Sequence, residues 1–129
     1  MKDRMLSFLE TNKLTSPSQH GFLRRHSTAT NLLQSLNDWT ICLNNSDSVT
    51  VAYVDFAKAF DSVSHPKLIA KLSNLGIAGP LLRWIVDFLA GRMQCTVVGH
   101  ARSEMVHMIS GVPQGSVLGP LLIFIFLMM

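Results

Sequence analysis

The chain has 129 residues, 48% of them hydrophobic and 15% charged, and 11 basic against 8 acidic side chains leave a net charge of +3. This balance excludes a disordered tail and a multidomain array, and it is compatible with a polyanionic partner without demanding one. So few charges cannot cover much outer surface, so the composition resembles the interior of something larger.

In chain order, Met1-Lys2-Asp3-Arg4 leads a mixed segment with no apolar core of signal-peptide length, so an intracellular setting is expected, nucleus and cytoplasm being indistinguishable. Residues 3–11 predict a short helix with Leu6 and Leu9 on one face, broken by Thr15-Ser16-Pro17-Ser18. Ser27 is a good N-cap for a longer helix whose apolar positions Ala29, Leu32, Leu33, Leu36, Trp39 and Leu43 follow a 3.6-residue period. A polar cluster at residues 44–48 introduces Val49-Thr50-Val51-Ala52-Tyr53-Val54, whose β-branched and aromatic content predicts a buried strand. Ser64-His65-Pro66 starts a helix striped by Leu68, Ile69, Leu72 and Leu75, with Gly76 at its C′ position. A second helix runs from Pro80 to about Ala90, burying Leu81, Leu82, Ile85, Phe88 and Leu89 before Gly91 ends it. Residues 93–98 and 103–109 around Gly99-His100 suggest a β-hairpin, and a final apolar helix opens near Ser116 with Gly119 and Pro120 in its early turns. The apolar run of residues 121–129 is well short of the roughly 20 residues of a membrane helix, so no membrane partner is expected. Cys42 and Cys95 match no metal-ligand spacing and read as buried thiols. The pattern as a whole is α+β.

Two segments carry possible chemistry. Asp55 closes the predicted strand, and an unpaired carboxylate in apolar surroundings costs several kcal/mol, so it must reach water, meet a cation or be protonated. A metal at the sheet edge is one solution. Asp61, six residues on, reads as a cap or as a salt-bridge partner of Lys58. The second segment, Gly111-Val112-Pro113-Gln114-Gly115, combines glycines that permit close backbone approach with a carboxamide that both donates and accepts. Alone it suits a plain loop before a helix as well as a ligand site.

Together the segments are informative. Tyr53-Val54-Asp55-Phe56-Ala57-Lys58-Ala59-Phe60-Asp61-Ser62-Val63-Ser64-His65 and Gly111-Val112-Pro113-Gln114-Gly115-Ser116-Val117-Leu118-Gly119-Pro120-Leu121-Leu122 closely resemble, in order and separation, two palm motifs of the reverse transcriptases of non-LTR retrotransposons. Gln19-His20-Gly21-Phe22 with Ser27-Thr28 is similar to the family's link from fingers to palm, so the resemblance covers nearly the whole chain. It implies a right-hand polymerase architecture, with an incomplete antiparallel sheet packed with helices. Residues 1–48 would be the fingers-to-palm segment and residues 49–129 the first half of the palm. It further implies an RNA template, a DNA primer, deoxynucleoside triphosphates, and two divalent ions, magnesium with manganese as a substitute. Asp55 would be the first metal-binding aspartate, with the Phe56 main-chain carbonyl facing a metal and the N–H groups from Phe56 through Ala57 to Phe60 holding the triphosphate. Phe60 would pack under the sugar and exclude a 2′-hydroxyl, and Gln114 and Gly115 would lie against the nucleotide and template. Arg24, Arg25, Lys58 and Arg92 are candidate phosphate contacts that suit a solvated surface equally well.

The sequence departs from the family's pattern in two places. Leu23-Arg24-Arg25-His26 stands where the family has an arginine and a Pro-Gly turn, and no aromatic-x-Asp-Asp sequence occurs. The expectation is a polymerase fragment inactive by itself, whose C-terminal apolar helix needs cover from missing polymerase parts or another protein. The alternatives are a non-catalytic remnant that binds nucleic acid or protein, and a membrane-associated peptide.

Overall fold

Helix α1 spans Lys2–Thr11, α2 spans Thr28–Asn44, α3 spans His65–Asn74, α4 spans Gly79–Leu89 and α5 spans Gly119–Leu127, in a computed structural model that describes residues 1–128. Met129, part of the predicted apolar helix, lies outside the described residues. The chain divides into two compact units, Met1–Phe56 and Ala57–Met129.

In the first unit, α1 buries Met5, Leu6 and Leu9, as its spacing predicts. Ser27 caps α2 reciprocally with Thr30: the Ser27 hydroxyl accepts from the Thr30 N–H at 3.1 Å, and the Thr30 hydroxyl accepts from the Ser27 N–H at 2.8 Å. Two otherwise unsatisfied helix donors are thereby paired. Ser27→Ala is expected to cost about 1 kcal/mol, read as a lower midpoint in urea unfolding followed by circular dichroism.

Three helices end alike. After α1, Lys13 adopts the left-handed conformation and Leu14 N–H returns to the Leu9 carbonyl; after α2, Ser46 and Asp47 repeat the arrangement onto Cys42; after α3, Gly76 and Ile77 repeat it onto Leu72. Each pairs carbonyls that the helix end leaves open. Only the third was legible, because only there does a glycine take the positive φ.

The second unit is built on α3, which packs against both α4 and α5. Val63, Leu68, Leu72, Ile85, Leu89, Leu121, Leu122 and Ile125 are among its fully buried side chains. Helix α5 starts three residues later than predicted, at Gly119 rather than Ser116, because residues 114–118 turn before it. It is also covered, contrary to the expectation of an exposed helix: Leu121 through Ile125 are all buried. The Lys71 ammonium of α3 donates to the Phe126 carbonyl at 3.0 Å, satisfying a carbonyl in the last turn of α5.

Strands β1 (Met93–Gln94), β2 (Val97–Val98), β3 (Ala101–Arg102) and β4 (Val106–His107) form the predicted hairpin as two short antiparallel pairs. Val98 faces Ala101 across the Gly99-His100 turn, and Met93 faces His107. All eight strand residues are exposed.

One further expectation is corrected, and one helix face is uncovered. The stripe of α2 is not buried: no residue of that helix is, and Leu32, Leu33, Leu36, Ile41 and Leu43 are exposed. Residues 49–56 form no strand among the described residues, and Tyr53 and Val54 are 87% and 78% exposed. Strand propensity needs a neighbour to take up the ladder hydrogen bonds, and none pairs with this segment. Cys42 and Cys95 are half-buried free thiols. Among the described residues no helix is long and apolar enough to cross a membrane.

Candidate functional site

In the first unit, residues 50–56, which carry Asp55, have no regular secondary structure and are exposed. Asp55 therefore reaches water directly, and the energetic oddity of a carboxylate closing a buried strand disappears. Phe56 beside it is 57% exposed. The Gln19-His20-Gly21-Phe22 segment is anchored on α2, where the two His20 ring nitrogens lie 2.9 Å from the Thr30 hydroxyl and 2.8 Å from the Gln34 amide oxygen. Arg24 pairs with Asp3 at 3.4 Å with both side chains largely in water, a contact worth at most about 1 kcal/mol. Arg25 is exposed with a positive φ of 60°.

The second unit opens on a turn at residues 57–61, where Lys58 takes a φ of 51° and its carbonyl accepts from the N–H groups of Asp61 and Ser62. Ala57 and Lys58 are exposed and Phe60 is half-buried. The segment after this turn is laced to the loop before α5. Val112 N–H donates to the Phe60 carbonyl and Gly111 N–H to the Val63 carbonyl, each at 2.8 Å. The Ser110 hydroxyl donates to the Asp61 carbonyl at 2.9 Å, and His65 Nε2 donates to the Gly111 carbonyl at 2.7 Å. Only glycine fits at 111: its φ is 87°, and a Cβ would stand 2.9 Å from the Phe60 oxygen and 3.0 Å from the Asp61 Cα.

Beyond Gly111 the loop is held by Ser116, whose hydroxyl donates to the Pro113 carbonyl and accepts from the Gly119 N–H, both at 2.8 Å. Gln114 and Gly115 stand exposed at its tip. A cleft of about 300 Å³ runs between the laced segments, lined by Asp61, His65, Arg92, Gln94, Ser110 and Gln114 among others. Asp61 is thus a cleft residue, with no ion pair to Lys58 among the described residues and no part in capping α3, where Ser64 is the N-cap. Arg92 lies 5.7 Å over the Phe88 ring, itself stacked on Trp84.

The geometry brings Phe60, Asp61 and the Pro113-Gln114-Gly115 loop into one unit, while Asp55 and Phe56 belong to the other. No three His, Cys, Asp or Glu side chains gather as a metal-holding group among the described residues.

The description "Reverse transcriptase (RNA-dependent DNA polymerase)" matches residues 1–128. The chain belongs to the reverse transcriptase family. It is 33% identical over 124 residues to the RNA-directed DNA polymerase from mobile element jockey of Drosophila funebris, covering 96% of this chain. It is 30% identical over 119 residues to the probable RNA-directed DNA polymerase from transposon X-element of Drosophila melanogaster, covering 92%. It is 32% identical over 77 residues, 60% of the chain, to the retrovirus-related Pol polyprotein from type-1 retrotransposable element R2 of Popillia japonica. The reverse transcriptase chain spans 13% of the length of each of these relatives. No solved structure matches it.

Nothing in the sequence signalled that the His65 imidazole bonds the Gly111 carbonyl or that the Ser110 hydroxyl bonds the Asp61 carbonyl. His65 looked like a helix start and Ser110-Gly111 like a loop entrance. No local signal joins residues 46 positions apart.

Proposed function

We propose that this chain contributes the nucleotide-facing part of an RNA-directed DNA polymerase, with residues 1–48 linking fingers to palm and residues 49–129 forming the first half of the palm. The reading rests on the four hydrogen bonds that join residues 60–65 to the loop bearing Gln114. In a family member, two motifs so joined are suited to grip one ligand from two sides.

In this reading Asp55 is one metal-binding carboxylate, the Phe56 carbonyl is a second oxygen donor, and the N–H groups of Phe56, Ala57 and Phe60 hold the triphosphate. Gln114 and Gly115 meet the base and template. Magnesium suits such oxygen donors and neutralises triphosphate charge, with manganese able to replace it. The sequence contains no adjacent aspartate pair, so by itself the chain is expected to support no synthesis. Arg24, Arg25 and Lys58 contribute at most salt-dependent phosphate contacts.

The half-buried Phe60 ring packs under the incoming sugar and excludes a 2′-hydroxyl. Phe60→Ala is expected to raise ribonucleotide incorporation relative to deoxynucleotide incorporation by roughly 10²-fold, read as the ratio of the two kcat/KM values.

The test of the whole reading is RNA-templated primer extension with magnesium. Residues 1–128 of this chain would replace the matching segment of the jockey polymerase of Drosophila funebris. Extension that disappears in Asp55→Asn supports the reading, and extension that survives overturns it. Salt-dependent binding of an RNA–DNA duplex with no extension from the unsubstituted exchange would favour a non-catalytic remnant.

A further inference from the structure

We infer that His65 is a positioning residue for nucleotide selection, acting through a single peptide unit on Phe60. The Gly111 carbonyl and the Val112 N–H belong to the same planar peptide. His65 Nε2 donates to its oxygen at 2.7 Å, and its N–H donates to the Phe60 carbonyl at 2.8 Å. The imidazole thus sets the tilt of the plane whose far end fixes the Phe60 backbone. A carbonyl that accepts a hydrogen bond also makes the N–H of its own peptide a better donor, so the two bonds reinforce each other.

Three observations separate this from ordinary helix packing. His65 is the first residue of α3, yet it has turned 46 residues away along the chain to bond a loop carbonyl. The bond is part-buried, so water competes poorly for the Gly111 oxygen. The same loop continues within three residues to Gln114, so one clamp ties together the candidate sugar-facing and base-facing groups. Ser110 adds a parallel restraint through its hydroxyl on the Asp61 carbonyl.

The inference rests on the reading of Phe60 as the sugar-facing residue, and its functional consequence is looser sugar discrimination rather than lost chemistry. Two measurements test it, on His65→Leu, which removes the donor, and His65→Gln, whose carboxamide N–H restores one.

In the 129-residue chain, His65→Leu should speed hydrogen exchange at the Val112 amide on the order of tenfold, with His65→Gln returning most of the protection. In the exchanged jockey polymerase, His65→Leu should lower the deoxy-to-ribonucleotide kcat/KM ratio by roughly threefold to tenfold, with kcat for deoxynucleotides held within about twofold and His65→Gln close to the unsubstituted value. Should His65→Leu fail to fold, Ser110→Ala takes its place, with a smaller shift in the same direction. Unchanged Val112 exchange overturns the inference. So does an unchanged ratio in His65→Leu when Phe60→Ala relaxes it. If Phe60→Ala itself leaves the ratio unchanged, the reading of Phe60 fails and the selection role falls with it, while the exchange result separately decides whether the clamp exists.

Discussion

Gly111→Ala is expected to destabilise the second unit by roughly 3–5 kcal/mol, enough to leave much of a marginally stable chain unfolded at room temperature. Two penalties combine. A side chain at a φ of 87° occupies a conformation that costs an L-residue about 1–2 kcal/mol. The added methyl would also lie 2.9 Å from the Phe60 carbonyl oxygen and 3.1 Å from that of Asp61, both backbone atoms that cannot swing aside. Relief requires the two segments to part, which weakens ladder bonds worth about 1 kcal/mol each. Gly115→Ala is the control: its φ is 83°, and an added Cβ meets nothing within 4 Å. It carries the conformational penalty alone, about 1 kcal/mol. Urea unfolding of both variants, followed by circular dichroism, measures the difference. Equal losses would show that the close approach of the two motifs contributes nothing to stability.

Asp55→Asn should reduce primer extension by the exchanged polymerase by at least about 10³-fold, the scale on which removal of one group stabilising transition-state charge acts. The substitution keeps shape and removes charge. Asp55 lies in a solvated segment, so stability should change by less than about 0.5 kcal/mol, and equal unfolding midpoints would separate a catalytic from a folding defect. Asp61→Asn, altering an exposed cleft residue whose structural bond runs through its main-chain carbonyl, should lose far less. Comparable losses at Asp55 and Asp61 would refute the division of roles.

Helices were the most legible part of the fold. The Ser27 cap, Pro66 in the first turn of α3 and Gly76 at its C′ position are local signals, and each marks an observed boundary. Lys13 and Ser46 perform the same terminating turn without glycine, so composition could not reveal them. Residues 49–54 were misread for the opposite reason. Their strand propensity is a fitness for a half-buried sheet, and among the described residues no neighbouring strand pairs with them. The stripe of α2 likewise identified a helix correctly but could not say that it lies uncovered.

The sequence by itself determined the family. Two motifs, in order and at a fitting separation, carried it by their close resemblance to those of reverse transcriptases. It also named Asp55, Phe60 and Gln114 as the residues to examine. Only the tertiary structure decided what joins Phe60 to Gln114. His65, Ser110 and Gly111 make bonds between residues 46 to 49 positions apart, and a contact between distant residues leaves no local periodicity to read. It also decided that the apolar helix α5 is core and that Asp55 meets water, because burial belongs to the packed chain and not to any one of its segments.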